Sequence, residues 1–295
     1  MSGRSITDLP RPPKRFRGDL HSPGFETWKK AADEDAKRAK RLRKWAKARK
    51  GKRAARALAL ADRLDPAIHP QTPQTPASAR HMREQRILII GAVWKLVDED
   101  QTGKVIRFDV IKPSWAGKRE AFRSQCAVRV RAEFRADLLR AALKVKPGGA
   151  AKCEGFIFAA LHGEHEVVDK LYQPHFHVIA TGDWVAVIDR LRKMRAYHVT
   201  ARVKRPIRAS RKLTDLAYAL TYLLKSYWPG KWCGYVSGQA GKRRRRKHGR
   251  IPEPHHTEVL LWLDRWTLSD LTLLVGIKVT KPGLTMTKRQ QSVHQ

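Results

Sequence analysis

The chain has 295 residues, and 62 Lys and Arg against 27 Asp and Glu give it a formal charge of +35. That length holds one or two domains with a real core, and the excess of positive charge points to a polyanion, above all nucleic acid. An anionic membrane surface is the competing polyanion, but no long apolar run or lipidation signal supports it, and three scattered cysteines without a C-x-x-C pair argue against a disulfide framework or a zinc knuckle.

Residues 1–85 read as a basic accessory arm. The opening MSGRSITDLPRPPKRF lacks the apolar core of a secretory signal, which predicts a cytoplasmic, nucleoid-associated protein. Residues 25–64 are rich in Ala, Lys and Arg, which favour helix, but their apolar residues look too few for a good buried stripe. A charged helix ordered on DNA, or a disordered arm, is therefore expected. The segment DPAIHPQTPQTPASA, with four prolines, reads as a linker.

A globular domain is expected over residues 86–236. ILIIGAVWKLV, the turn residues DEDQTGK and the alternating VIRFDVI predict a β-hairpin. Residues 116–143 lose turn signals and predict a long helix, stopped at Lys146-Pro147-Gly148-Gly149. Strands follow over 156–166 and 173–181, then a helix capped by Asp183, a strand in YHVTARVKR, and a helix from Thr214 to about Trp228. The first six elements make a split β-α-β repeat, so an α+β fold is predicted: an antiparallel, ferredoxin-like or RRM-like sheet with helices on one face. Its other face would stay open for single-stranded nucleic acid. Residues 237–279 read as a basic loop, KRRRRKHGR, and an apolar packing segment; residues 280–295 read as a disordered tail.

The chemistry concentrates in QPHFHVIAT. On a strand His175 and His177 point the same way, so the two imidazoles can hold one divalent ion. The preceding strand carries His162, Glu164 and Glu166 on one face. Glu164 is the first choice for a third ligand, Glu166 the second, and His162 a further possibility. Two imidazoles with a carboxylate and open positions suit Mg2+ or Mn2+ at a phosphate. In TDLAYALTYLLKSYW, Leu213, Leu216, Leu220, Leu223 and Leu224 share one helix face with Tyr227 among them. Tyr218, Tyr222 and Lys225 share the opposite one.

PHFHVI, a His-hydrophobe-His strand, followed by YALTYLLK, a Tyr-x-x-Lys helix, resembles the HUH endonuclease superfamily, specifically its rolling-circle replication initiators from plasmids and single-stranded phages. The resemblance covers roughly residues 86–230. It implies nicking and rejoining of single-stranded or melted origin DNA through a 5′-phosphotyrosine. His175 and His177 would be metal ligands, Tyr222 the nucleophile assisted by Lys225, and Tyr218 the second tyrosine of two-tyrosine initiators. VIRFDVIKPSW matches the family's first motif only loosely. No G-x-x-x-x-G-K-[ST] occurs, so a separate helicase would unwind and a polymerase would extend the 3′ end. A conjugative relaxase of the superfamily usually has its tyrosine before the histidines and a third histidine in the cluster; a transposase keeps the order seen here. Outside the superfamily the alternatives are a non-catalytic nucleic-acid binder with an open basic sheet and a zinc hydrolase, which lacks H-E-x-x-H support here.

Overall fold

Every second residue of VIRFDV and of LYQPHFHVIAT is apolar, the period of a strand with one face in a core. In the structure, a computed structural model, these are β1 (Val105–Val110) and β3 (Leu171–Thr181), with β2 (Ile157–Glu166) between them in sequence. The structure describes residues 4–17, 19, 25–201, 203–210, 216–225, 227–238 and 241–287, with side chains except at 216–218, 222, 233–238 and 241–247.

Three helices come first: α1 (Trp28–Lys47), α2 (Lys52–Leu64) and α3 (Ala79–Glu99). After β1 come α4 (Arg119–Ser124), α5 (Ala127–Ala142), the β2–β3 hairpin, α6 (Asp183–Leu191) and β4 (Ile207–Ser210). Then follow α7 (Leu216–Thr221), the hairpin β5 (Pro229–Gly238) and β6 (Gly241–Arg250), α8 (His255–Leu263), α9 (Leu268–Leu271) and β7 (Thr272–Val275). A small separate sheet of β8 (Ile277–Thr280) and β9 (Gly283–Met286) ends the described chain.

The main sheet runs β4-β1-β3-β2, antiparallel throughout, and is extended along the outer edge of β2. That edge is shared. Residues 157–160 pair antiparallel with β7, whereas His165 and Glu166 pair parallel with Gly230 and Lys231 of β5. The fold is α+β, but the sheet is mixed rather than wholly antiparallel. The reason is the crossover through α7, which brings the chain back to β2 from the far edge instead of through a hairpin.

Helices cover both faces, not one. Phe108, Phe176, Val178 and Leu161 pack into a core shared with α5, α6 and α8. On the opposite face Phe158 and Ile179 meet Ile89, Ile90 and Val93 of α3, and Leu220, Leu223 and Leu224. An open nucleic-acid face is therefore absent from this side of the sheet.

α3 replaces the first strand expected over 87–97. Its buried residues Met82, Arg86, Ile89, Ile90, Val93 and Leu96 recur every three or four positions, and the Ser78 hydroxyl caps it at the His81 amide, 3.2 Å away. A short apolar run fits strand or buried helix equally well, and length decides. Strand β4 likewise falls at Ile207–Ser210, after the predicted YHVTARVKR, and KRRRRKHGR lies in β6 rather than in a loop.

The basic arm is built into the core. Ala39, Leu42 and Trp45 of α1 and Ala57, Leu60 and Leu64 of α2 are buried with the sheet's own residues. Small alanines let these helices approach closely, so the stripe is narrow yet sufficient. The proline segment is held too: buried Arg80 pairs with Asp35 at 3.1 Å and donates to the carbonyls of Leu64, His69 and Pro70. Among the described residues no helix is long and apolar enough to cross a membrane.

Candidate metal centre

Strand register assembles the centre. His162 lies opposite His175, and Asp109 of β1 lies opposite His177, so all four project from the face covered by α3 and Leu220–Leu224. Pro174 fits within β3 because Tyr172 bonds Gly117 and β1 pairs only from Phe176 onward; the missing N–H faces the gap between them.

One nitrogen from each of His162, His175 and His177 lies within 4.8 Å of the other two, so this group could hold a metal ion. All three side chains are buried, between 3% and 5% exposed. Each ring donates one N–H to an oxygen that can only accept. His177 Nδ1 donates to Asp109 Oδ1 at 2.7 Å, His175 Nδ1 to the Gln173 carbonyl at 3.0 Å, and His162 Nε2 to the Tyr227 carbonyl at 3.0 Å. These bonds fix the tautomers and leave His175 Nε2, His177 Nε2 and His162 Nδ1 with their lone pairs in place. The His162 Nδ1 is buried and has no hydrogen-bond partner among the described residues.

Burial keeps the His162 and His177 rings neutral. Burial pushes His177 down to about 4, against the pull of Asp109, and burial with the neighbouring rings holds His162 well below its ordinary value. Burial raises Asp109, but the hydrogen bond from His177 and the positive charges around it, Arg107 among them, together outweigh burial and hold this carboxylate low. Neutral imidazole is the ligating form.

The third donor of this group is a histidine. Glu164 stands on the same face, opposite Gln173, and is ion-paired with buried Lys231 of β5. Burial raises its pKa, and His175 and Lys231 more than offset that. Glu166 lies one pair further along, opposite Leu171.

A glycine brings the last wall in. Gly163 faces the side of Leu161 and Phe176, where a Cβ would overlap the Trp228 ring, so the glycine lets that indole lie against β2 beside the His162 ring, 6.0 Å between centroids. Trp228 in turn fixes the neighbouring Tyr227 carbonyl on His162. Lys225 stands close by, pushed down to about 8 by burial first and then by Arg107; its charge depresses both His162 and His177.

The helix of the two tyrosines is shorter than expected. α7 stops at Thr221, a single 3-10 turn spans Tyr222–Leu224, and Lys225 is extended. Tyr218 therefore lies in α7 and Tyr222 opens the turn, but their side chains, with residues 211–215, lie outside those described. Tyr227 does not sit among leucines: it is 51% exposed, because the helical spacing ends six residues before it. Leu220, Leu223 and Leu224 are buried as the pattern predicts.

Asp109, Lys231 and Trp228 escaped the sequence reading. Alternation in VIRFDV puts Asp109 on the polar face, but only the β1–β3 register brings it to His177. Compared with family models, with curated proteins and with solved structures, the chain matches none.

Proposed function

We propose that this protein is a metal-dependent nuclease of HUH type that cuts and rejoins single-stranded DNA at a replication origin. The observation that carries the reading is the buried group of three tautomer-fixed imidazoles beside Lys225 on the turn that begins with Tyr222. The strand order β4-β1-β3-β2, with helices between β1 and β2 and between β3 and β4, supports it as a split β-α-β sheet. In this reading His162, His175 and His177 are the ligands, and Glu164 with Lys231 sets the charge beside them.

When bound, the ion would neutralise charge on the scissile phosphate. Nitrogen donors favour Mn2+ over Mg2+, which prefers oxygen. The Tyr222 hydroxyl attacks phosphorus, the bond to the 3′ oxygen breaks, and that oxygen leaves as a 3′-hydroxyl after taking up a proton. Lys225, with its lowered pKa, would take the Tyr222 phenol proton as the bond to phosphorus forms and return it to that 3′ oxygen. Tyr218 would accept the strand in a second transfer. Because the phosphotyrosine keeps the bond energy, rejoining needs no nucleotide cofactor.

The third histidine gives specific support to a second reading, a conjugative relaxase, against which stands the position of both tyrosines after the histidines. One assay tests the shared chemistry. Labelled single-stranded DNA with Mn2+ should form an adduct that survives denaturation and maps to Tyr222. Tyr222→Phe should abolish that adduct, and Tyr227→Phe should retain it. DNA linked to Tyr227, or to a residue outside 216–225, would overturn the assignment.

A further inference from the structure

We propose that one face of α1 is the track on which a single-stranded nucleic acid runs away from the histidine centre. This inference rests on the nucleic-acid reading above and adds a binding surface to it. Two cavities meet at Arg250. The first, of about 510 Å³, is walled by Lys30, Glu34, Tyr227 and Trp228; the second, of about 600 Å³, is walled by Arg41, Lys44, Trp45 and Arg49. Positions 30, 34, 41, 44, 45 and 48 of the chain fall within one arc of an α-helix, so a single helix face lines both cavities.

The track begins at the metal centre. Tyr227 borders the first cavity with its exposed ring, while its carbonyl accepts from His162. Charge along it is positive and largely uncommitted. Arg250 is bound to Glu34 at 2.6 Å, but Lys30, Arg41 and Lys44 form no ion pair among the described residues. The Arg49 guanidinium sits over the buried Trp45 ring, 4.4 Å from its centroid, and leaves an exposed cation for a base to meet. Tyr227 offers the stacking surface. From Lys30 to Ala48 the helix rises about 27 Å, room for roughly four to eight nucleotides of one strand. Alternating cations and aromatic planes in a narrow groove match a flexible single strand better than a duplex or a bilayer.

The test uses the full chain in chelator, so that no cutting intervenes. A fluorescent oligonucleotide of about twenty nucleotides is titrated by anisotropy across a salt series. The triple variant Arg41→Gln/Lys44→Gln/Arg49→Gln should bind at least tenfold more weakly, with a log–log salt slope flatter by about 2. A control triple, Lys144→Gln/Lys193→Gln/Arg195→Gln, removes equal charge from exposed positions outside both cavities and should lose less affinity. A bromouracil-substituted strand should also photocross-link to Tyr227, the exposed aromatic ring of the track. Equal losses in the two triples, or a loss confined to duplex DNA, anionic vesicles or an acidic peptide, would overturn the track. Wild-type-like binding in the α1 triple of a protein that still cuts would remove the track and leave the nuclease. Weakened binding in a protein that forms no adduct with Mn2+ would do the reverse.

Discussion

Phe108 and Asp109 are neighbours on β1, Phe176 and His177 on β3, and Leu161 and His162 on β2; yet each pair divides between two faces of one sheet. On the first face the side chains interlock with α5, α6 and α8, and burial itself is the gain. On the second face burial is a cost, met by a hydrogen bond for each ring: Asp109, the Gln173 carbonyl and the Tyr227 carbonyl. The two faces are about equally dry, so dryness alone does not make a core. What the second face gains is three imidazoles at fixed angles, which is what a metal ion requires.

Stripping the cover from the apolar face should have the largest effect. Deleting residues 1–80 removes α1 and α2, whose Leu42, Trp45, Leu60 and Leu64 complete the first core. The truncated chain is expected to lose its cooperative thermal transition. A sharp transition near that of the full chain would show that the arm is dispensable.

Substitutions within the strands sharpen the contrast. Phe176→Ala on the apolar face should cost about 3–5 kcal/mol in denaturant unfolding. Phe176 stacks on Phe134, 4.6 Å between centroids, and the void cannot collapse among such neighbours. His177→Gln on the polar face should unfold near the wild-type midpoint while losing metal binding. If the two substitutions destabilise alike, the faces do not differ as described.

Acid should act through the helix that covers the polar face. His81 of α3 is 3% exposed, and burial pushes its pKa down to about 4. As pH falls below the ordinary value of about 6.5, the unfolded chain takes up this proton and the folded chain does not. Stability should therefore fall from about pH 6.5 to pH 4, by roughly 3 kcal/mol at the acid end, and level off below. His81→Gln should flatten this part of the curve; an unchanged curve would mean that His81 is protonated in the fold.

The smallest effect belongs to Asp109. Asp109→Asn keeps the shape but loses the charge that orients His177, so metal affinity should drop about 10–100-fold with the fold retained. A drop no larger than that of Asp98→Asn, at an exposed position near the end of α3 where the carboxylate pairs with Arg15, would remove Asp109 from the centre.

These contrasts also explain what could be read beforehand. Period-2 alternation is local, so β2, β3 and the shared face of His175 and His177 were legible. Register is not local, and it is register that brings His162 together with His175 and His177 and carries Asp109 to His177. The partner of Glu164 was not legible either: Lys231 arrives on β5 through a crossover and holds it in an ion pair. The α1–α2 stripe was hidden because alanine counts little by hydrophobicity but much by closeness of approach. Tyr227 was misplaced because the helix tightens at Tyr222 and ends, turning the following residues off its wheel.

Metal binding tests the central claim most directly. Titrating the full chain with Mn2+, followed by the loss of free-ion electron paramagnetic resonance signal, should give one tight site per chain. His162→Gln, His175→Gln and His177→Gln should each weaken it at least tenfold, with circular dichroism unchanged. Binding as tight in His162→Gln as in the wild type would contradict the three-histidine centre.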